Sequence, residues 1–493
     1  LNKEVFMEAI FDPIYLVNGH KEHTSISDIL KIIKERNIEF LDLKFTDLFG
    51  RLHHYTLTAD RADEELFAVG TGFDGSSIRG FQSIHESDML MRPDPNTAFI
   101  DPFFDHRTIS FLCDIIDPVA RRRYTKDSRY VGEKAIEYIR STGIADMAYF
   151  GPEPEFFIFD KVQYEQTQNK AFYEVDSSEA SWNSARGEQN LGYKIPYKQG
   201  YFPTSPHDQL HNLRSKMVEV LRSCGIKVNL HHHEVATAGQ TEIGLVVDEL
   251  VRQADALVMY KYIIKNVAHR YNKTVTFMPK PIFMDNGSGM HVHVSLWKEN
   301  RNIFYDFGRY ADLSDYARYF IGGIFAHIEA VLAFAAPTTN SYRRLVPGYE
   351  APINLVYSAR NRSAAVRIPM YSTSEKAKRI EFRCPDPSAN PYLAFAAIIM
   401  AGMDGIENRI EPPDPIDEDI YELSPHEKRN IRNTPGTLKE VIDGLERDCS
   451  FLLKGEVFTV DLIESYIAHK RLHEIDQIAL RPHPWEYALY YEI

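Results

Sequence analysis

Apolar residues in "ISDILKIIKERN" (26–37) recur at helical spacing, with Ile29, Leu30 and Ile33 on one face. The next stretch, "IEFLDLKFTD" (38–47), changes to alternation and predicts a strand with Leu41, Leu43 and Phe45 on one side. Short strand-like pieces continue to "TISFLCDIIDP" (108–118), and the basic, polar "ARRRYTKDSRY" then marks a domain boundary near residue 125. Beyond it helices and strands are mixed, an α+β pattern. Residues 209–225 and 248–272 predict amphipathic helices, the first ending on a glycine cap signal. "ANPYLAFAAIIMAGMDGI" opens on Asn-Pro and is apolar all round, so it predicts a buried helix. "GTLKEVIDGLERD" opens on a capping box, Thr437 to Glu440. Residues 161–203 are polar with little periodicity, and irregular chain of that length suggests an interface or an active-site wall.

Composition narrows the class. The chain has 493 residues, 44% hydrophobic and 26% charged, enough for a large core. Its net charge of −14 argues against a nucleic-acid partner but leaves room for a local arginine cluster. Cys113, Cys224, Cys384 and Cys449 are scattered and suggest a reducing compartment without disulfides. The first 25 residues do not read as a signal peptide, and "YFIGGIFAHIEAVLAFAAP" carries His327 and Glu329, so neither predicts a membrane segment. A cytoplasmic location is expected.

Polar residues on the predicted strands carry the chemistry. In "GSGMHVHVSLW" (287–297), His291, His293 and Ser295 share one strand face. "GPEPEFFIFD" puts Glu153 and Glu155 together, opposite Phe156 and Ile158; paired like charges on a strand entering a core favour a bound cation over a solvated edge. "LHHHEVATAGQTEIG" (230–244) adds three histidines, Glu234 and Glu242, an oxygen-rich supply suited to magnesium or manganese. "RIEFRCPDP" alternates Arg379, Glu381 and Arg383 with core residues, which fits a cavity wall and a structural ion pair equally. Residues 340–369 hold Arg343, Arg344, Arg360, Arg362 and Arg367, forks suited to carboxylate or phosphate oxygens. "GTGFDGSS" (70–77) contains a literal G-x-G-x-x-G, but "SSIRGFQSI" is a poor helix start, so it reads as a turn presenting Asp74. Carboxylates plus arginines support phosphoryl transfer or metal-assisted hydrolysis, and the arginines favour the first.

The motifs "FDGSSIRGFQSIHESDM", "GPEPEFFIF", "HHHEVATAGQTEIG", "NGSGMHVHVSL", "NSYRRLVPGYEAP", "SARNRS", "KRIEFRCPDPSANPYLAF" and "RPHPWEYALYY", in this order, resemble class I, bacterial-type glutamine synthetase from about residue 26 to the C-terminus. Residues 161–203 resemble the extra segment of the subtype that carries an adenylylatable tyrosine, and Tyr421 in "DEDIYELSP" matches that tyrosine. The resemblance implies an N-terminal extension (1–25), a small β-grasp-like N-terminal domain (26–125) and a large α+β catalytic domain (126–493) with an antiparallel sheet forming the active site. It implies ATP-dependent ligation of ammonia to L-glutamate through γ-glutamyl phosphate, with two divalent cations, Mg or Mn, per site. It also implies a homo-oligomer, a dodecamer of two hexameric rings with intersubunit sites, and, as possible partners, an adenylylating enzyme or a small regulatory protein. Membrane and nucleic acid are not expected as partners.

By the same resemblance Glu155, Glu234 and Glu242 would hold the first metal, and Glu153, His291 and Glu381 the second. His293 and Ser295 would contact nucleotide, with Arg362 and Arg367 on its phosphates. Asn286, Gly287 and Arg344 would contact glutamate, and Arg383 its reacting carboxylate. Asp74 would be the ammonium site, serving the adjacent subunit, and Glu350 the flap residue, so that Asp74, Glu350 and Arg362 form the catalytic set. One departure concerns the base of ATP: many relatives carry an arginine–aromatic pair after the second glutamate, where Leu245 and Val246 stand here. The rival reading is a related γ-glutamyl-amine ligase acting on polyamines; Asp74 and Glu350 favour ammonia.

Overall fold

The computed structural model describes residues 24–493 apart from 82–86, 185–189, 348, 350, 372–373, 419, 421–423, 425, 427–428 and 430. The expectations for residues 1–23, Glu350 and Tyr421 therefore lie outside the described residues.

The chain enters through α1 (Ile26–Glu35), capped where Ser25 Oγ accepts from the Asp28 N–H at 3.1 Å. Five main strands follow: β1 (Phe40–Thr46), β2 (Leu52–Thr58), β3 (Thr71–Asp74), β4 (Asp88–Pro93) and β5 (Thr108–Asp117). Their order across the sheet is β2-β1-β5-β4-β3, with β1 and β5 parallel and the other neighbours antiparallel. Leu41, Leu43 and Phe45 pack on Ile29, Ile33, Ile109 and Phe111, as the alternation predicts. The alternate face of β1 is buried as well. Asp42 and Lys44 are inaccessible, and Lys44 Nζ donates to Asp101 (3.1 Å), which also accepts from the Tyr262 hydroxyl (2.9 Å). Polar residues in alternation thus line a second interface here rather than solvent.

The larger part begins with α2 (Ser128–Thr142) and β6 (Met147–Phe159). Hairpin β7 (Lys161–Gln166) and β8 (Ala171–Asp176) comes next, so the segment 161–203 is irregular only after a regular start. Then come α3 (His211–Ser223), β9 (Val228–His233), β10 (Gln240–Leu245), α4 (Leu250–Arg270) and β11 (Met290–Lys298). Helices α5 (Asp315–Ala326) and α6 (Ile328–Ala335) precede β12 (Asn354–Ser358), β13 (Ala364–Arg367) and β14 (Ile380–Phe382). The chain closes with α7 (Pro391–Asn408), α8 (Leu438–Arg447) and shorter helices. The main sheet runs β9-β10-β6-β11-β14-β13-β12; only β12 and β13 pair in parallel.

One face of this sheet is apolar and covered by helices. Phe150, Phe156, Ile158, Met290, Val292, Val294, Leu296, Ile380 and Phe382 join the core of α2, α4 and α7. Helix α7 starts where Asn390 accepts from the Tyr392 N–H (3.2 Å) and is buried through Ile406. The apolar run 319–337 becomes α5 and α6, bent by 81° at His327 and buried; among the described residues no single helix is long and apolar enough to cross a membrane. At α8, Thr437 Oγ1 accepts from the Glu440 N–H (3.2 Å), but the Glu440 carboxylate accepts from Gly436 (2.9 Å) rather than from the cap itself.

A buried arginine joins the two sheets. Arg129 on α2 donates to Asp94 after β4 (2.7 Å), to Asp114 on β5 (2.8 Å) and to both oxygens of Asp255 on α4 (3.0 and 3.1 Å). Asp255 also accepts from the Tyr392 hydroxyl at 2.6 Å. Removing the guanidinium takes the shared cation from three carboxylates, of which Asp114 keeps Arg92 and Arg123 and Asp255 keeps the Tyr392 hydroxyl. Arg129→Met is expected to cost about 3–5 kcal/mol. Urea denaturation checks this, and an unchanged midpoint refutes the hub role.

Candidate active site

The other face of the main sheet is polar, and register gathers its side chains. Glu153 on β6 lies opposite His291 on β11, and Glu155 opposite Glu242 on β10. Glu242 lies opposite His232 on β9, His293 opposite Glu381 on β14, and Glu381 opposite Arg367 on β13. Because strand side chains alternate, every second residue of six neighbouring strands points into one basin.

Two compact groups result. Glu153, His291 and Glu381 bring one donor atom each to within 4.8 Å of one another, and so do His232, Glu234 and Glu242. The expected first-metal trio was Glu155, Glu234 and Glu242. Here the Glu155 carboxylate accepts from the Gly289 N–H (3.0 Å) and the Gln240 side chain (3.2 Å), and His232 joins Glu234 and Glu242, its nitrogens 3.5 Å from each. The histidine run 231–233 does not by itself single out His232 in the sequence; its alternation with Glu234 is the signal that does.

Electrostatics separate the groups. Burial first raises Glu155, Glu234 and Glu242 to about 8; repulsion adds to it, from Glu242 at Glu155, from Glu155 and Glu242 at Glu234, and from Glu153 and Glu381 at Glu242. Around the second group, burial also raises Glu153, but contacts with His291 and His293 outweigh it and lower the carboxyl. Burial is likewise overcome at Glu381, where Arg383 first, then His293, His291 and Arg367, bring it to about 2. His291 falls to about 4, from burial and then Arg383, so its ring is neutral near pH 7 and able to ligate. Buried carboxylates that resist ionisation together, with the neutral His291 imidazole nearby, fit hard divalent cations.

Beyond Glu153 the face continues along β11. Arg379 Nε donates to His293 Nδ1 (3.1 Å), which leaves Nε2–H to donate to Glu153 (3.0 Å). Arg379 also donates to the Tyr371 hydroxyl (2.6 Å), a residue the sequence reading did not single out. Ser295 Oγ accepts from the Trp297 indole at 3.0 Å. The departure at the base of ATP needs correction. Leu245 pairs with Val228 and is buried in the core, so it does not face the basin. Val246 and Val247 are the exposed pair, and a Cβ built on Gly151 would sit 3.5 Å from His293 Cβ and 3.7 Å from Val247 Cβ.

On the opposite flank Asn286 is buried, and its N–H donates to Asp285 (3.0 Å). Arg344 is buried against the carbonyls of Arg383, Cys384 and Pro385 (2.9–3.2 Å) and beside the Asn286–Gly289 loop; a Cβ at Gly289 would fall 2.4 Å from its guanidinium. Arg367 and Arg383 both pair with Glu381, at 2.5 Å each. Arg362 is exposed between β12 and β13, beside Tyr201. Tyr201 and Phe202 pack edge-on against His232, so the end of segment 161–203 forms a wall of the basin. Asp74 stands apart on the smaller sheet, fully exposed. Its carboxylate accepts from Ser76 (2.6 and 2.9 Å) and Ser77 (2.9 Å), and those bonds hold it below the usual carboxylate range. The chain after Asp74 makes a short turn rather than a helix, as expected for a non-dinucleotide loop.

Comparison with known proteins matches two family models, "Glutamine synthetase, beta-Grasp domain" over residues 37–118 and "Glutamine synthetase, catalytic domain" over 125–490. The chain belongs to the glutamine synthetase family. A glutamine synthetase of Frankia alni is 56% identical over 472 residues, covering 95% of this chain and all of the relative. One of Aquifex aeolicus is 55% identical over 466 residues, covering 94% of this chain and 98% of the relative. Among solved structures, Plasmodium falciparum glutamine synthetase superposes with a TM-score of 0.88 at 32% identity, covering 96% of this chain and 99% of that one. A GmaS–ADP complex superposes with a TM-score of 0.78 at 26% identity, covering 94% and 99%. The two sheets described above are thus those of a glutamine synthetase-family enzyme.

Glu242→Gln tests the charge balance. Between the unfolded value of 4.5 and about 8, the folded carboxyl holds a proton the unfolded chain has lost, so wild-type stability falls as pH rises through that window. The variant is expected to be more stable than wild type without cation, by a margin that grows toward pH 8. It should also lose the share of Mn2+ stabilisation that comes from the His232–Glu234–Glu242 site, about 2.7 kcal/mol at a hundredfold excess over Kd, while keeping that of the Glu153–His291–Glu381 site. Scanning calorimetry reads both, and a full Mn2+ response in the variant contradicts the assignment.

Proposed function

We propose that the basin joins ammonia to the side-chain carboxylate of L-glutamate at the expense of ATP, giving glutamine, ADP and phosphate through γ-glutamyl phosphate. The observation that carries this reading is the pairing of two carboxylate–histidine groups with arginines on the adjoining strands. Glu155, Glu234 and Glu242, with His232, would hold one divalent cation; Glu153, His291 and Glu381 would hold the other. When bound, the cations neutralise phosphate charge and lower the barrier to phosphoryl transfer. Mg or Mn suits the donors equally.

A carboxylate is a poor acyl donor, so its oxygen first attacks the γ-phosphorus and ADP leaves. His293 and Ser295 face the nucleotide in this reading, with Arg379 and Tyr371 behind His293. Arg362 and Arg367 offset charge on the moving phosphoryl group, and Arg383 steadies the reacting carboxylate. Asn286, Gly287 and Arg344 border the glutamate. Asp74 binds ammonium and helps remove its proton, so that ammonia attacks the acyl carbon and phosphate departs. Glu350 completes the set as the flap residue.

Asp74 is wholly exposed and hydrogen-bonded only within its own turn, which supports a role in the site of a neighbouring subunit within a dodecamer. Tyr421 is proposed as the adenylylation site on its sequence motif.

The decisive assay follows ADP and glutamine together. ADP release should depend on both glutamate and ammonium, and Glu381→Ala should reduce glutamine formation by about 10²–10³-fold with Mg2+ or Mn2+ present. Preference for a polyamine over ammonium, or ATP-independent hydrolysis of substrate, would overturn the reading.

A further inference from the structure

Three loops meet on the glutamate side of the basin. Residues 195–203 run beside the chain after β9: the Gly200 N–H donates to Val235 O (2.9 Å), and a Cβ at Gly200 would fall 2.4 Å from Glu234 O. Residues 277–289 lead into β11, and there the buried Asp285 carboxylate accepts backbone N–H groups from Lys198 (3.2 Å), Thr237 (2.8 Å) and Asn286 (3.0 Å). The third stretch follows Arg344 and is described at 345–347, 349 and 351–353; there Pro352 O accepts from the Cys384 thiol (3.3 Å).

Tyr349 comes from this third loop. The Lys280 ammonium lies 3.9 Å from its ring centroid, and the Lys198 ammonium lies 4.3 Å from it. Lys280 also donates to the Asp285 carbonyl. Its ammonium falls to about 8 because of burial, with Asp285 opposing and with Lys198 and Arg344 adding to the fall. Three cations therefore crowd one flank, and one aromatic ring meets two of them. An aromatic ring attracts each ammonium, where the ammonium groups alone repel one another.

We propose that Tyr349 is a positioning residue: its ring, beneath Lys198 and Lys280, ties the three loops into one wall beside Asn286, Gly287 and Arg344 that keeps water from the activated glutamate. This role presupposes the ligase activity proposed above. The reaction it suppresses is specific. Water adds to the acyl carbon of γ-glutamyl phosphate, the carbon–oxygen bond to phosphate breaks, and glutamate and phosphate leave. The net result is hydrolysis of ATP without glutamine.

The test measures ADP and glutamine in parallel for the full-length assembly, with Tyr349→Leu, Tyr349→Phe and Lys198→Met. Tyr349→Leu should raise the ADP-to-glutamine ratio at least about threefold. It should also raise the glutamate KM about tenfold with a smaller change in kcat. Tyr349→Phe keeps the ring face and should stay near wild type, and Lys198→Met should shift the ratio in the same direction as Tyr349→Leu. A wild-type ratio in Tyr349→Leu, or equal damage in Tyr349→Phe, overturns the role. If Tyr349→Leu fails to assemble, Lys198→Met on an exposed side chain decides alone, and an unchanged ratio there overturns it. Absence of glutamine from wild type would instead refute the ligase reading, so the two failures are distinguishable.

Discussion

Like-charge repulsion among carboxylates on one sheet face governs this structure. Strand register sets Glu155 opposite Glu242 and Glu153 opposite His291, and the turn after β9 adds Glu234. In a buried basin such a set raises its own proton affinity unless cations compensate. The molecule does this in two ways. Glu381 is held ionised by Arg383 and Arg367 together with His293 and His291, whereas at Glu155 and Glu242 burial and repulsion outweigh the nearby Arg344 and Arg383, and at Glu234 the nearby His232, so all three are raised. The first arrangement sets one charged carboxylate between two guanidiniums. The second creates a demand that a divalent cation meets.

The scaffold holds this unfavourable face in place. The opposite face of the same strands is continuous apolar packing against α2, α4 and α7, so a slip of one residue would exchange core for carboxylate. Arg129 fixes α2 and α4 to the smaller sheet through three aspartates, and Lys44 repeats the device on β1. Cationic side chains therefore serve on both sides of the main sheet, as joints behind it and as anion contacts in front. The acidic excess of the chain coexists with a locally basic flank where Lys198, Lys280 and Arg344 converge around Tyr349 and Asp285.

Much of this was legible in the sequence where period and chemistry coincide. The alternation His291–His293–Ser295 and the pair Glu153–Glu155 named a polar strand face, and their motifs named the family. Three features were less legible. The alternation of β1 suggested one wet side, but Asp42 and Lys44 are buried because a second surface covers them, which no single strand reveals. Leu245 was placed near the base although it closes β10 in the core; alternation fails at a strand end, where Val246 and Val247 turn outward. The segment 161–203 hid both a hairpin and a wall, since Tyr201 and Phe202 acquire a role only when the chain folds back on His232. His232, Tyr371 and Tyr349 likewise gain meaning from contacts between segments distant in sequence.

The account stands on the claim that this carboxylate face exists to hold two divalent cations. Counting Mn2+ bound per chain at equilibrium, by electron paramagnetic resonance of the free ion, addresses it directly. The account predicts two ions per chain in wild type and one in a variant with both Glu234 and Glu242 replaced by glutamine. It also predicts one when Glu153 and Glu381 are replaced instead. Fewer than two ions in wild type, or two retained in either double variant, would contradict it.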